Sequence, residues 1–192
     1  ALPISIEESD EEGDSYPGAE PSLMRGLSEQ IPSDALVFLG NSLPIRAWNL
    51  AASRTKAHPN VFANRGANGI DGELSTFLGL SEGVEEAWGF FGDLTTLYDA
   101  TGPWVMDQLS CGKRRIVIVN NGGGRIFSKL PALSGIDEEG KRVTENRHQQ
   151  DFASWAAMWR LEWRQDIATT TELLDAEGLA DHAVIEFQAG PK

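Results

Sequence analysis

The chain is expected to fold as a doubly wound α/β domain, a mainly parallel six-stranded sheet with helices on both faces. Three observations carry that expectation. Short apolar runs alternate with helix-length stretches along most of the 192 residues, the pattern that strand–helix–strand units leave in a sequence. Two of the runs, Ala87-Trp88-Gly89-Phe90-Phe91 and Arg115-Ile116-Val117-Ile118-Val119, are close to continuously apolar, as strands covered on both faces are. Both end in polar turn residues, Gly92-Asp93-Leu94 and Asn120-Asn121-Gly122-Gly123. Those turns fall at the carboxyl edge of the sheet, where open α/β folds bind ligands.

The elements follow in order. Residues 1–21 hold Glu7, Glu8, Asp10, Glu11, Glu12 and Asp14, then Tyr16-Pro17-Gly18 and Pro21. Such a self-repelling stretch has little to bury and reads as a disordered acidic linker before a domain at 22–192. Leu23 to Ile31 can form a helix, and Ala35 to Leu39 a strand ending at Gly40-Asn41. Pro44 to Arg54 reads as a helix with proline in its first turn. Val61-Phe62-Ala63 is a short strand, Glu73 to Leu80 a helix, and the strand around Phe90 comes next. Leu94 to Leu109 supplies a crossover helix interrupted at Gly102-Pro103 before the strand at Ile116. Gly135 to Arg147 reads as an exposed charged loop. Phe152 to Arg164 reads as a helix whose Trp155, Trp159 and Trp163 pack an apolar stripe onto the sheet. The outermost of these tryptophans is a candidate for a subunit interface. Ile167-Ala168-Thr169 is expected to be a strand, Thr171 to Gly178 a helix, and Ala183 to Phe187 the last strand.

Composition bounds the function. With 41% hydrophobic residues, the chain can bury one good core and not two large ones. A net charge of −13 repels nucleic acid and anionic membrane, leaving small molecules or protein as partners. Lone Cys111 cannot form an internal disulfide and reads as an incidental surface residue. No stretch has membrane-spanning length and no signal-peptide succession opens the chain, so a cytoplasmic location is expected. The start at Ala1 behind a linker suggests a piece of a longer protein.

The polar turns suggest specific chemistry. Mg²⁺ takes hard oxygen donors and shares its shell with substrate phosphates. Asp93, the Asn121 side chain and the Gly123 carbonyl could supply three such oxygens for Mg²⁺ or Mn²⁺ against a diphosphate. Gly122-Gly123-Gly124 lets the backbone approach a ligand and could turn N–H groups toward an anion. The run lacks the Gly-Lys-Ser/Thr ending of a Walker A loop, and no dinucleotide fingerprint follows the first strand, which counts against nucleotide hydrolysis and hydride transfer. His58, His148 and His182 are scattered and read as surface or capping residues, with no zinc pair or nucleophile triad among them.

Gly-Asp-x followed 25 residues later by Asn-Asn resembles the thiamine diphosphate motif. Asn41-Ser42-Leu43-Pro44-Ile45-Arg46, Asn64 to Gly72, and Ile126-Phe127-Ser128-Lys129-Leu130-Pro131 further resemble segments of the MenD family of menaquinone-pathway synthases. The resemblance implies a thiamine diphosphate-binding fold and a thiamine diphosphate-dependent transferase. Its members join 2-oxoglutarate, with loss of carbon dioxide, to isochorismate, as homodimers or homotetramers. It also implies roles. Gly92, Asp93, Leu94, Asn121, Gly123, Gly124 and Ile126 would hold the cofactor and Ile70 would prop it bent, while Ser42, Arg46, Arg65, Phe127 and Leu130 would meet substrate. Asp71 could cap the helix that starts near Glu73. The activating glutamate would come from a further domain in the partner subunit, so this chain alone is expected to be silent. Two other readings stand beside this one. One is a thiamine diphosphate decarboxylase or carboligase of other specificity, against which Leu94 and the Ser42–Arg46 pair argue. The other is a non-catalytic diphosphate-binding module.

Overall fold

The computed structural model describes residues 20–66, 69–127, 131–133, 135–166 and 178–189. Its elements are α1 (Glu20–Gln30), β1 (Leu36–Leu39), α2 (Leu43–Ala51), β2 (Val61–Phe62), α3 (Glu73–Leu80), β3 (Glu86–Gly92) and α4 (Asp93–Tyr98). A 3-10 stretch (Gly102–Gln108), β4 (Lys113–Asn120), α5 (Glu138–Glu145), α6 (Ala153–Met158), β5 (Glu162–Asp166) and β6 (His182–Gln188) follow. The six strands lie in the order β2-β1-β3-β4-β6-β5, and every neighbouring pair is parallel. The doubly wound fold read from the sequence is therefore the one observed. From β1 the chain steps outward to β2, then returns to place β3 on the other side. That reversal opens a crevice between the carboxyl ends of β1 and β3, where such sheets take ligands.

Strand alternation divides the core into two layers. Val37, Leu39, Trp88, Phe90, Val117 and Ile185 meet Leu23, Met24, Leu27 and Ile31 of α1 on one face. On the other, Phe38, Phe91, Ile116, Ile118 and Val184 meet Leu74, Phe77 and Leu78 of α3, with Phe152 and Ala156 of α6. The rings of Phe38, Phe77 and Phe91 pack with centroids 5.8 to 6.3 Å apart. The interruption expected at Gly102-Pro103 is observed: α4 ends at Tyr98, and Gly102-Pro103 opens the 3-10 stretch.

Two readings of the C-terminal half need correction. The charged loop expected at Gly135 to Arg147 contains α5. Asp137 caps it by accepting the Gly140 N–H at 2.8 Å, and Lys141–Glu138 and Arg142–Glu139 pair along its exposed side. The cap and the spaced pairs supply helical stability that an apolar stripe does not. The helix expected to reach Arg164 ends at Met158. Arg160 adopts φ 58, Leu161 N–H bonds Ala156 O and Arg160 N–H bonds Ala157 O; this is a Schellman stop, and β5 starts at Glu162. Trp155 and Trp159 both donate to Ala100 O, while Trp163 sits on the strand. All three pack against the second core layer, as a packing role requires. The expected strand Ile167-Ala168-Thr169 and helix residues 171–177 lie outside the described residues, as does the acidic run; Glu20 and Pro21, placed with that run, open α1.

The C-terminal elements are tied to the sheet by one buried acid. Glu186 on β6 accepts Asn120 Nδ2 and Gln188 Nε2 through one oxygen and Phe152 N–H and Trp163 Nε1 through the other, at 2.7 to 3.0 Å. All four neighbours are donors, so Glu186→Gln would turn an amide NH₂ toward donors. We expect that variant to lose roughly 2–4 kcal/mol of unfolding free energy, read by chemical denaturation; an unchanged midpoint would contradict the assignment.

Candidate functional site

At the carboxyl edge a cavity of about 630 Å³ opens between the strand ends, within the range of small-molecule sites. Three parts build it: the loop after β1, the loop between β2 and α3, and the paired turns after β3 and β4.

The first loop is shaped by a close approach. Gly40 donates to Phe90 O at 2.8 Å, and a Cβ there would meet the same oxygen at 2.7 Å, so only glycine fits. Asn41 follows, buried. Ser42 is held at φ 70, ψ −125 and makes no side-chain cap bond to α2; such a backbone costs about 1–3 kcal/mol in a non-glycine residue. Its hydroxyl is thereby left at the cavity wall. Arg46, in the first turn of α2, donates Nη1 to Ser42 O at 2.5 Å, the proximity expected from helix spacing.

The second loop is bound to the first through Asn41. Its Nδ2 donates to Gly69 O at 2.7 Å, and its Oδ1 accepts Arg65 Nη1 at 2.6 Å. Ile70 stands half-buried in the wall beside Asp71. Asp71 does not cap α3, whose N-cap is Gly72 at φ 70 with no side-chain bond. The Asn41 N–H is taken by both oxygens of Glu73, at 3.1 and 2.9 Å. Glu73 is 1% exposed, and burial raises its pKa from 4.5 to about 7, against the opposing Asn41 hydrogen bonds and Arg65, with Asp99 adding to the rise.

The third part carries Asp93 and the asparagine turn. Asp93 is 2% exposed. One of its oxygens accepts the Leu94 N–H at 2.7 Å, and the other accepts the N–H groups of Asn121 and Gly123 at 3.2 and 2.9 Å. His148 Nε2 lies 3.1 Å from that second oxygen, in contact without hydrogen-bond alignment. Asn121 Nδ2 donates to Glu20 Oε1 at 2.8 Å. A carboxylate only accepts, so this contact settles which way the carboxamide points. Asn121 Oδ1 is then buried with no partner among the described residues. That orphaned oxygen beside a buried carboxylate, at a cavity lined also by Gly92, Leu94, Ile126 and Phe127, fits a hard divalent cation. The Gly123 carbonyl accepts Arg125 N–H at 2.8 Å and keeps a second lone pair. No group of three His, Cys, Asp or Glu side chains with metal-binding spacing occurs among the described residues. A site here would rest on one carboxylate plus neutral oxygens.

The glycine run behaves differently from the expectation that its N–H groups could face an anion. Gly122 N–H goes to Asn120 Oδ1, Gly123 N–H to Asp93 and Gly124 N–H to Glu145 O. These residues provide close approach instead. Gly123 has φ 138, and a Cβ on it would meet Glu145 O at 2.5 Å. An anion in the cavity therefore finds its positive charge in a cation or in arginine side chains.

All the site residues expected from the sequence line this one cavity, save Leu130, which lies outside the described residues. Sequence reasoning missed Glu20, assigned to the acidic tail, and His148, expected at the surface and found beside Asp93. It also passed over Glu73, whose signal was an acid directly after Gly69-Ile70-Asp71-Gly72. His58 bonds Ser28 O at 2.7 Å and meets Trp48 edge-on, His182 opens β6, and exposed Cys111 stays at the surface.

The six-stranded parallel sheet with its covering helices is the fold of thiamine diphosphate-dependent enzymes of known structure. The chain superposes with a TM-score of 0.61 on the thiamine diphosphate-dependent 4-hydroxybenzoylformate decarboxylase of Rhodococcus jostii RHA1, at 18% identity, covering 100% of this chain and 34% of that one. No family model matches the chain. It is 43% identical over 175 residues to the 2-succinyl-5-enolpyruvyl-6-hydroxy-3-cyclohexene-1-carboxylate synthase of Bdellovibrio bacteriovorus, covering 91% of this chain and 31% of that protein. It is 37% identical over 147 residues to the synthase of the same name in Akkermansia muciniphila, covering 77% and 28%. The chain belongs to this synthase family and spans under a third of the length of these relatives.

Glu73 yields a prediction about pH. Its folded pKa lies above its unfolded value, so between about 4.5 and 7 the native state binds more protons than the unfolded chain, and stability falls as pH rises. Ionised Glu73 costs up to about 3 kcal/mol by pH 8. Thermal melts should show Glu73→Gln more stable than the parent at pH 8, with the gap closing toward pH 5. A constant gap across that window would refute the burial of an ionisable acid here.

Proposed function

We propose that the chain is the diphosphate- and metal-holding domain of a synthase that decarboxylates 2-oxoglutarate and adds its succinyl unit to isochorismate in menaquinone biosynthesis. The observation that carries this reading is the unpartnered, buried Asn121 Oδ1 facing the cavity beside Asp93, in a chain of this family. Asp93, Asn121 and the Gly123 carbonyl would hold Mg²⁺ or Mn²⁺, and Glu20 would keep the Asn121 carboxamide turned oxygen-first toward it. When bound, thiamine diphosphate supplies the nucleophilic carbon for the carbon–carbon step. The chain's own residues bind and orient. Ile70, Ile126 and Phe127 form an apolar wall, Leu94 closes the floor beside Asp93, and Ser42, Arg46 and Arg65 stand where substrate carboxylates can be gripped. A guanidinium offers five donors, and each of these arginines spends one Nη on Ser42 or Asn41, which leaves donors for an anion. Activation of the cofactor is assigned to none of these residues. That group would come from another domain, in the partner subunit of a homodimer or homotetramer.

Two outcomes test the reading in the intact enzyme. Calorimetry of Asp93→Ala should show metal-dependent thiamine diphosphate binding lost while the melt stays cooperative, because the only ionised ligand is gone; parent-like affinity would remove the metal site. Arg46→Ala and Arg65→Ala should each weaken use of a carboxylate substrate by about 1.5 to 3 kcal/mol in kcat/KM, the range for hydrogen bonds to charged groups. Cofactor affinity should hold. Unchanged kinetics with both 2-oxoglutarate and isochorismate would sink the substrate assignment.

A further inference from the structure

We infer that Glu73 is a positioning residue for the substrate-carboxylate end of the cavity: it grips the Asn41 backbone N–H with both oxygens and so sets the arginine that Asn41 carries. The inference rests on the function proposed above and goes beyond it, since Glu73 touches neither cofactor nor substrate position. The chain of contacts is short. Glu73 holds Asn41 N–H, Asn41 Oδ1 holds Arg65 Nη1 and Asn41 Nδ2 holds Gly69 O. The loop after β1 and two points of the loop between β2 and α3 are thus keyed to one residue, and that residue is keyed to Glu73. The fit is tight, because a Cβ at Gly40 would come within 3.1 Å of Glu73 Oε2. Asn41 is 2% exposed, so no water replaces the carboxylate at its N–H without the loop moving.

An apolar residue would suffice if this position only filled core. It lies at the start of α3, beside Leu74, Phe77 and Leu78, all fully buried. A carboxylate held there against its desolvation is retained at a cost to stability, which points to a role outside stability. The charged groups that face it are Arg65 from the loop after β2, which favours the ionised form, and Asp99 from the end of α4, which opposes it. Ionised, Glu73 offers two acceptors to Asn41 N–H. Protonated, it keeps one and turns an O–H toward its neighbours, so the grip slackens as pH drops below about 7.

The test uses the intact enzyme and Glu73→Gln, a near-isostere without the charge, with Glu73→Leu as a second variant and melts as the folding control. In the parent, KM for the carboxylate substrate held by Arg65 should rise about tenfold between pH 8 and pH 6 while kcat moves little. Glu73→Gln should start near the raised KM at pH 8 and show no further rise; Glu73→Leu should match it. Cofactor and Mg²⁺ affinities should stay at parent values in both. A parent-like KM and pH profile in Glu73→Gln overturns the inference while leaving the function standing. A fall in kcat and melting temperature without a KM change overturns it too, by showing a structural role only. A parent enzyme that uses neither carboxylate substrate overturns the proposed function and this inference with it.

Discussion

The candidate site depends on where one buried carboxylate sits. Asp93 closes β3, and its second oxygen takes the N–H groups of Asn121 and Gly123 from the turn that closes β4. Two adjacent parallel strands are thereby locked at their carboxyl ends, and everything else at the cavity is placed relative to that lock. It holds because β3 and β4 run in register from Glu86↔Lys113 to Gly92↔Val119, delivering Asp93 level with Asn120, one residue before Asn121. A shift of register by one residue would invert every side chain between the two core layers. The two-sided apolar core therefore protects the alignment of polar groups that contribute little to it.

Around that lock the protein separates two tasks between two carboxamides. Asn121 is oriented from outside the sheet, by Glu20 at the start of α1, and presents a bare oxygen. Asn41 is oriented from below, by Glu73, and spends its side chain on Arg65 and Gly69. The first arrangement suits a cation and the second an anion. They occupy opposite sides of the β1/β3 crevice, so metal-diphosphate and carboxylate groups of a ligand could be held together with unlike charges kept apart. In a chain with net charge −13, that separation matters. Long-range repulsion opposes an anionic ligand, and local positive charge at each end has to offset it.

Much of this was legible in the sequence, for reasons that particular residues show. Strand ends at Gly40-Asn41, Gly92-Asp93 and Asn120-Asn121 could be read because apolar runs stop abruptly at polar, turn-forming residues, and parallel topology then forces those ends to one edge. The existence of α5 and the end of α6 were not legible. α5 is stabilised by the Asp137 cap and spaced ion pairs, which look like a solvated loop when periodicity is the guide. α6 stops through an arginine in a left-handed conformation, a choice that tertiary packing of Leu161 and Trp163 makes and local propensity does not. Glu20 and His148 were hidden for another reason: they reach the site from elements whose arrival there depends on the whole fold.

Asp93 and Glu73 show why burial alone does not identify a functional acid. Both are nearly inaccessible, 2% and 1% exposed, and both accept backbone N–H groups across loops. Asp93 takes the N–H of its own successor Leu94 and two from the asparagine turn, and it lines the cavity beside the Asn121 oxygen. Glu73 takes one N–H with two oxygens, is enclosed by α3 and the aromatic layer, and is pushed toward neutrality at about pH 7. Asp93 lines the cavity, and Glu73 is not among its lining residues. The fold thus leaves one acid at the cavity wall and encloses the other in the core. What distinguishes them is the neighbouring geometry, three convergent donors beside a cavity against one donor within a core, which the strand topology fixes before any ligand binds.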